Sequence, residues 1–175
     1  MWIKRKAVQF YGFHPVVRRY VLEAVCYLVA ARLALRLIPF RRLTGYFKRP
    51  PENPESSYAR RIKAWQALAE KDYVPRKDMI IAAERQYLCS GISWLIGEAD
   101  GFLPGTSACF ARAIAAQVIL RRLGIATSLF YGAATLSGDD HLTAHVWLQA
   151  GDIGIIGHEN AGDYHVLAVY ASATP

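Results

Sequence analysis

Hydrophobic positions recur at helical intervals through the first two thirds of the chain and crowd together at strand-like density in the last third. Over residues 16–38, Leu22, Cys26, Val29, Leu33 and Leu37 fall at helical spacing, with Arg18, Arg32 and Arg36 interrupting the apolar surface. Pro39 predicts the end of that helix. A short helix is predicted over 58–71, with Ile62, Trp65 and Leu68 on one side. Pro75 opens another, expected to run from Arg76 to about Ile96 with a weak point at Gly91, and Gly97 and Gly101 punctuate the turn that follows. Residues 102–106 form a loop into a further helix that begins near Cys109. That helix is predicted to stop at Arg121-Arg122-Leu123-Gly124, where two basic residues in the last turn precede a glycine suited to a left-handed cap.

Beyond Gly124 the pattern changes period. Residues 125–136, 143–150, 153–157 and Tyr164 to Tyr170 are rich in β-branched and aromatic residues and read as strands. Ser137-Gly138-Asp139-Asp140 reads as a loop and Gly151-Asp152 as a two-residue hairpin turn. Helices followed by consecutive antiparallel strands predict an α+β fold. No internal repeat is present.

Composition adds scale and a boundary. The 175 residues, 53% of them hydrophobic, suit one globular domain with a small N-terminal appendage. Pro50, Pro51 and Pro54 among polar neighbours mark a linker. The expected division is therefore a basic helical arm and linker over 1–57 and a domain over 58–175.

The net charge of +7 is unevenly placed. Residues 1–50 hold eleven Lys or Arg against Glu23 alone, a net +10, and the rest of the chain carries a net −3. Such an arm calls for an anionic partner: a phospholipid surface, an acidic peptide or protein, or nucleic acid. The aromatic pattern of an RNA-recognition module is missing, which argues against nucleic acid. Tyr20 to Phe40 is not a membrane span, because its longest uncharged run, Ala24 to Ala31, has eight residues where a span needs about 20. A helix lying on something apolar fits better. Lys4-Arg5-Lys6 is not followed by the apolar run of a signal peptide.

Cys26, Cys89 and Cys109 are odd in number and widely spaced. They match neither a disulfide framework nor a zinc site, and a reducing cytoplasm suits them. Asp139, Asp140 and His141 lie too close together for a metal site and lack a fourth partner, and no cofactor-binding signature is present. His14 and His165 have no evident partners. Cys26 and Cys89 lie within apolar helices and are expected to fill core.

Cys109 differs, because it opens its helix after a glycine-containing loop, with Ser107 as the expected N-cap. Unpaired N–H groups and the helix dipole favour an anion there, which suits a reactive thiolate and supplies half of an oxyanion hole. His145 follows 36 residues later on a predicted strand. Nucleophile on a helix, then base on a strand, is the chain order of the papain and transglutaminase arrangement. A third group should orient the imidazole. A two-residue turn at Gly151-Asp152 pairs Ala150 with Ile153 and carries His145 opposite His158, whereas a one-residue bulge brings Gly157 or Glu159 there instead.

Four separated segments occur in order: Ser107-Ala108-Cys109-Phe110-Ala111-Arg112-Ala113, Leu120 to Ala126, Tyr131-Gly132 and Ala144-His145-Val146-Trp147. Together with the upstream run Ala31 to Leu43, this pattern resembles the transglutaminase-like leader peptidases of lasso-peptide biosynthesis. The resemblance implies a papain- or transglutaminase-like core, with a nucleophile helix packed on an antiparallel sheet. It implies a cytoplasmic cysteine protease that cuts the leader from a precursor peptide so that a cyclase can form the macrolactam. Cys109 would be the nucleophile and His145 the general base and acid. The family usually has an Asp on the next strand, where this chain has Gly157-His158-Glu159, so His158 is the expected third member. Leader recognition would fall to a separate protein, since residues 1–57 lack the three-stranded pattern of a winged-helix-like recognition domain. The basic arm would then meet the partner protein, the cyclase or the inner membrane surface. Two rival readings are amide transfer or deamidation through the same thiol, and a non-catalytic membrane-surface or scaffold module.

Overall fold

The structure, a computed structural model, describes residues 2–48, 77–105, 108–135 and 142–172. The predicted 58–71 helix, the 49–57 linker and the Asp139-Asp140-His141 loop lie outside them. Among the described residues five helices come first: α1 (Trp2–Gly12), α2 (Pro15–Leu37), α3 (Phe40–Phe47), α4 (Lys77–Gly101) and α5 (Cys109–Arg122). The strands β1 (Ser128–Thr135), β2 (Leu142–Ala150), β3 (Ile153–Ile156) and β4 (His165–Ala171) follow. They form one antiparallel sheet in the order β3-β2-β1-β4. The predicted α+β class is what the chain adopts.

The centre of the molecule is α5. Ala111, Ala113, Ile114, Ala115, Ala116, Gln117, Ile119 and Leu120 are all buried, on every side of the helix. The helix is enclosed by α2 and α4 and by strands β2 and β3. Its alanines keep it thin, so neighbouring elements can approach closely. It ends as its sequence predicts. The Gly124 N–H bonds to the Arg121 carbonyl and the Ile125 N–H to the Leu120 carbonyl, with Gly124 at φ +76°. This is the pairing of a left-handed glycine cap.

The flanking helices depart from expectation in two ways. Glycine costs a helix about 1 kcal/mol relative to alanine, yet α4 runs through Gly91 and Gly97 and ends at Gly101. Burial of Cys89, Ile92, Leu95, Ile96 and Ala99 against the core outweighs that cost, at about 1.5–3 kcal/mol for each large apolar side chain. In α2 the buried residues are Val21, Ala24, Leu28 and Ala31. Leu22, Val29, Leu33 and Leu37, together with Cys26, are exposed instead. The helix has two apolar stripes, and the one that meets α4 and α5 is the smaller-volume one, which packs closest. Arg122 fixes the α2–α5 contact by bonding Glu23 at 3.2 Å and the Tyr27 hydroxyl.

The Gly151-Asp152 turn is formed, with Ala150 paired to Ile153 and Gln149 to Gly154. A bulge follows, and Leu148 pairs with Ile156. Ile155 and Ile156 are both buried. Strict alternation would turn one of them away from the core, and the bulge brings both in. The strand ends there, short of the level of His145.

Candidate active site

Cys109 is the first residue of α5 and is half-buried. The N-cap is Ala108, which makes no side-chain cap bond, rather than the expected Ser107, which lies outside the described residues. The N–H groups of Ala111 and Arg112 bond to the Ala108 carbonyl at 2.9 and 3.3 Å. The N–H groups of Cys109 and Phe110 make no bond among the described residues. Free N–H groups at a helix start are the type of donor an oxyanion can use.

His145 sits in β2, paired with Gly132 of β1. Its Nε2 lies 2.7 Å from the Gly157 carbonyl oxygen. A carbonyl only accepts, so Nε2 carries the hydrogen and Nδ1 is the nitrogen left to take or give a proton. Gly157 has φ +66°, and a Cβ built on it would stand 2.9 Å from the Val146 carbonyl and 3.0 Å from His145 Cε1. Only glycine lets the backbone approach the ring this way. The imidazole also meets Tyr164 at 4.8 Å and Trp147 at 5.9 Å, centroid to centroid.

The expected pairing of His145 with His158 is not formed. The bulge and the end of β3 at Ile156 replace it with the Gly157 carbonyl. His158 is exposed and folds back over Gly154, where a Cβ would meet its Cβ at 2.6 Å. Glu159 is exposed too, and no hydrogen bond joins it to His145. A backbone carbonyl as the imidazole's partner leaves no side-chain signature, and only the glycine that permits it is visible in a sequence.

In β2, Val146 and Leu148 belong to the core that α5 enters. Alternation sends His145 and Trp147 to the other face, where Trp147 stacks on Phe130 at 5.3 Å. Among the described residues no hydrogen bond joins the Cys109 thiol to the imidazole.

The other cysteines separate cleanly. Cys89 fills core as expected, and burial pushes its thiol up to about 11, with Arg85 acting weakly in the opposite sense. Cys26, expected in the core, is exposed on the outer stripe of α2. His165 is exposed at the start of β4. His14 caps α2 through a 3.4 Å contact from the Val16 N–H to Nδ1, a role not foreseen.

A cysteine at the head of a buried helix, followed by a histidine on an antiparallel strand, defines a cysteine-dependent class of α+β proteins. Residues 25–169 match the model of the transglutaminase-like superfamily, and the chain belongs to that superfamily, whose members are typically cysteine-dependent enzymes. Comparison with curated proteins and with solved structures gives no significant match. Among the described residues no helix is long and apolar enough to cross a membrane.

Proposed function

We propose that the protein is a cysteine peptidase that removes the leader from a lasso-peptide precursor. What supports the reading is Cys109 at the N-terminus of α5 and, on β2, a histidine whose Nε2 is committed to the Gly157 carbonyl, leaving Nδ1 for proton transfer. In the first half-reaction the Cys109 thiolate attacks the carbonyl carbon at the leader–core junction. The oxyanion takes hydrogen bonds from the Cys109 and Phe110 N–H groups. The C–N bond breaks, the His145 imidazolium gives its proton to the departing amine, and a thioester is left on Cys109. Water then attacks the thioester while His145 takes its proton, and the C–S bond breaks to release a carboxylate. A separate protein presents the leader, and a cyclase consumes the freed core.

The test is precursor peptide mixed with the recognition protein and either wild-type or Cys109→Ala protein, read by mass. Cleavage that survives the substitution refutes the reading. A product carrying an added amine, or one mass unit heavier at an amide, assigns the thioester to transfer or deamidation instead. Alkylation adds a second check. His145→Ala should slow Cys109 modification at pH 7 at least tenfold, and an unchanged rate would separate the two residues functionally.

A further inference from the structure

A cavity of about 650 Å³ opens between α1, the C-terminal end of α4 and the loop that leads into α5. Lys6, Asp100, Gly101, Pro104, Gly105 and Arg112 are among the residues around it. Its charges do not balance. Asp100 is taken by Arg32 at 3.2 Å, and Arg32 also donates to the carbonyls of Pro104 and Gly105. Lys6 donates to the amide oxygen of Gln9 and lies over the Phe102 ring, with no carboxylate partner among the described residues. The nearby Glu98 is engaged by Gln9.

Arg112 is the telling residue. Its Nε is buried and has no hydrogen-bond partner, and its guanidinium makes no ion pair among the described residues. A buried donor left unpaired costs about 1–3 kcal/mol, and more when it is charged. Arg112 also stands in the first turn of α5, which holds no acidic residue. The positive end of a helix disfavours a cation there. Two costs therefore fall on one side chain, and an anion in the cavity relieves both.

Arg112 lies three residues after Cys109, so the two share a face of the helix. We infer that the cavity binds a carboxylate side chain of the peptide substrate beside Cys109, with Arg112 and Lys6 as its cationic contacts. The occupant's identity as a peptide rests on the peptidase reading. Arg112 is a specificity-determining residue here. Gly101 makes room for Lys6, since a Cβ there would stand 3.0 Å from its Nζ.

The experiment titrates full-length Cys109→Ala protein with blocked pentapeptides, acetyl-Gly-Gly-Xaa-Gly-Gly-amide, where Xaa is Glu, Gln or Lys. Arginine Nε–H resonances are followed by NMR. The Glu peptide should bind at least tenfold more tightly than the Gln peptide, shift the Arg112 Nε–H signal and lose its advantage as salt rises. Arg112→Gln should abolish the preference, and Lys6→Gln should reduce it at least threefold. Equal affinity for Glu and Gln overturns the proposal, as does a preference that survives in a folded Arg112→Gln protein. If that variant does not fold, Lys6→Gln decides: an unchanged preference overturns the proposal. The two readings fail separately. Cleavage by Cys109→Ala removes the peptidase while leaving the binding result standing. Loss of the Glu preference removes the cavity's role and leaves cleavage untouched.

Discussion

Replacing Gly157 with alanine tests how the imidazole is held. The position has φ +66°, and a non-glycine residue there costs about 1–2 kcal/mol. The new Cβ would press on the Val146 carbonyl at 2.9 Å and on His145 Nε2 at 3.1 Å. One is backbone of a central strand and does not yield, so the ring and the Gly157 carbonyl must part. Losing the 2.7 Å hydrogen bond adds about 1 kcal/mol. The sum is about 2–3 kcal/mol, or a fall in Tm of about 4–12 °C for a chain this size. A double-mutant cycle isolates the part that involves the ring. In a His145→Ala background the same glycine substitution should cost about 1 kcal/mol less, because only backbone strain and the Val146 contact persist. Urea unfolding gives the energies, and imidazole 15N shifts report the loss of a single Nε2–H tautomer. A cost below 0.5 kcal/mol, or the same cost in both backgrounds, refutes the claim that Gly157 orients His145.

Three further outcomes follow from the packing and the thiols. Gly132→Ala should destabilise by about 1–3 kcal/mol as measured by urea unfolding, since its Cβ would lie 2.9 Å from the Trp147 ring and 3.0 Å from the His165 carbonyl. Native alkylation followed by peptide mapping should modify Cys26 and leave Cys89 untouched until the protein unfolds, because Cys89 is fully buried with its thiol raised to about 11. That same thiol ionises in the unfolded chain near pH 9 while the folded protein keeps it protonated. Stability should therefore be intact below pH 9 and fall by about 2–3 kcal/mol between pH 9 and 11. Cys89→Ala should flatten this part of the pH profile, measured by urea unfolding against the wild type.

Local signals with their own chemistry were legible in the sequence. The arginine pair and Gly124 marked the end of α5, Gly151-Asp152 marked its hairpin, and the switch of period at Gly124 marked the passage from helices to sheet. Signals that depend on what lies opposite were not. The stripe Leu22 to Leu37 has helical spacing, but spacing alone does not say which of two apolar faces meets the core, and α2 uses the other. Gly91 and Gly97 looked like breaks because propensity is local, whereas the burial that carries α4 through them is not. The histidine's partner was legible only as the bulged alternative that brings Gly157 beside it. Register counted residues from the turn, but two adjacent isoleucines both needed burial, and the resulting bulge exchanged a side chain for a carbonyl.

The enclosure of α5 bears on how this protein can change over time. A helix buried on one side can slide or tilt as its neighbours mutate, but one lined by Ala113, Ala115 and Ala116 at zero exposure has no direction in which to move. Enlarging any of these alanines forces strain of about 1–3 kcal/mol. Cys109 is thus fixed in space by side chains buried in the core. Change is easier in the half-exposed positions of the helix, such as Arg112, and in the segments around it, such as the turn after β3. The inherited position of the thiol is then the constant against which those segments vary.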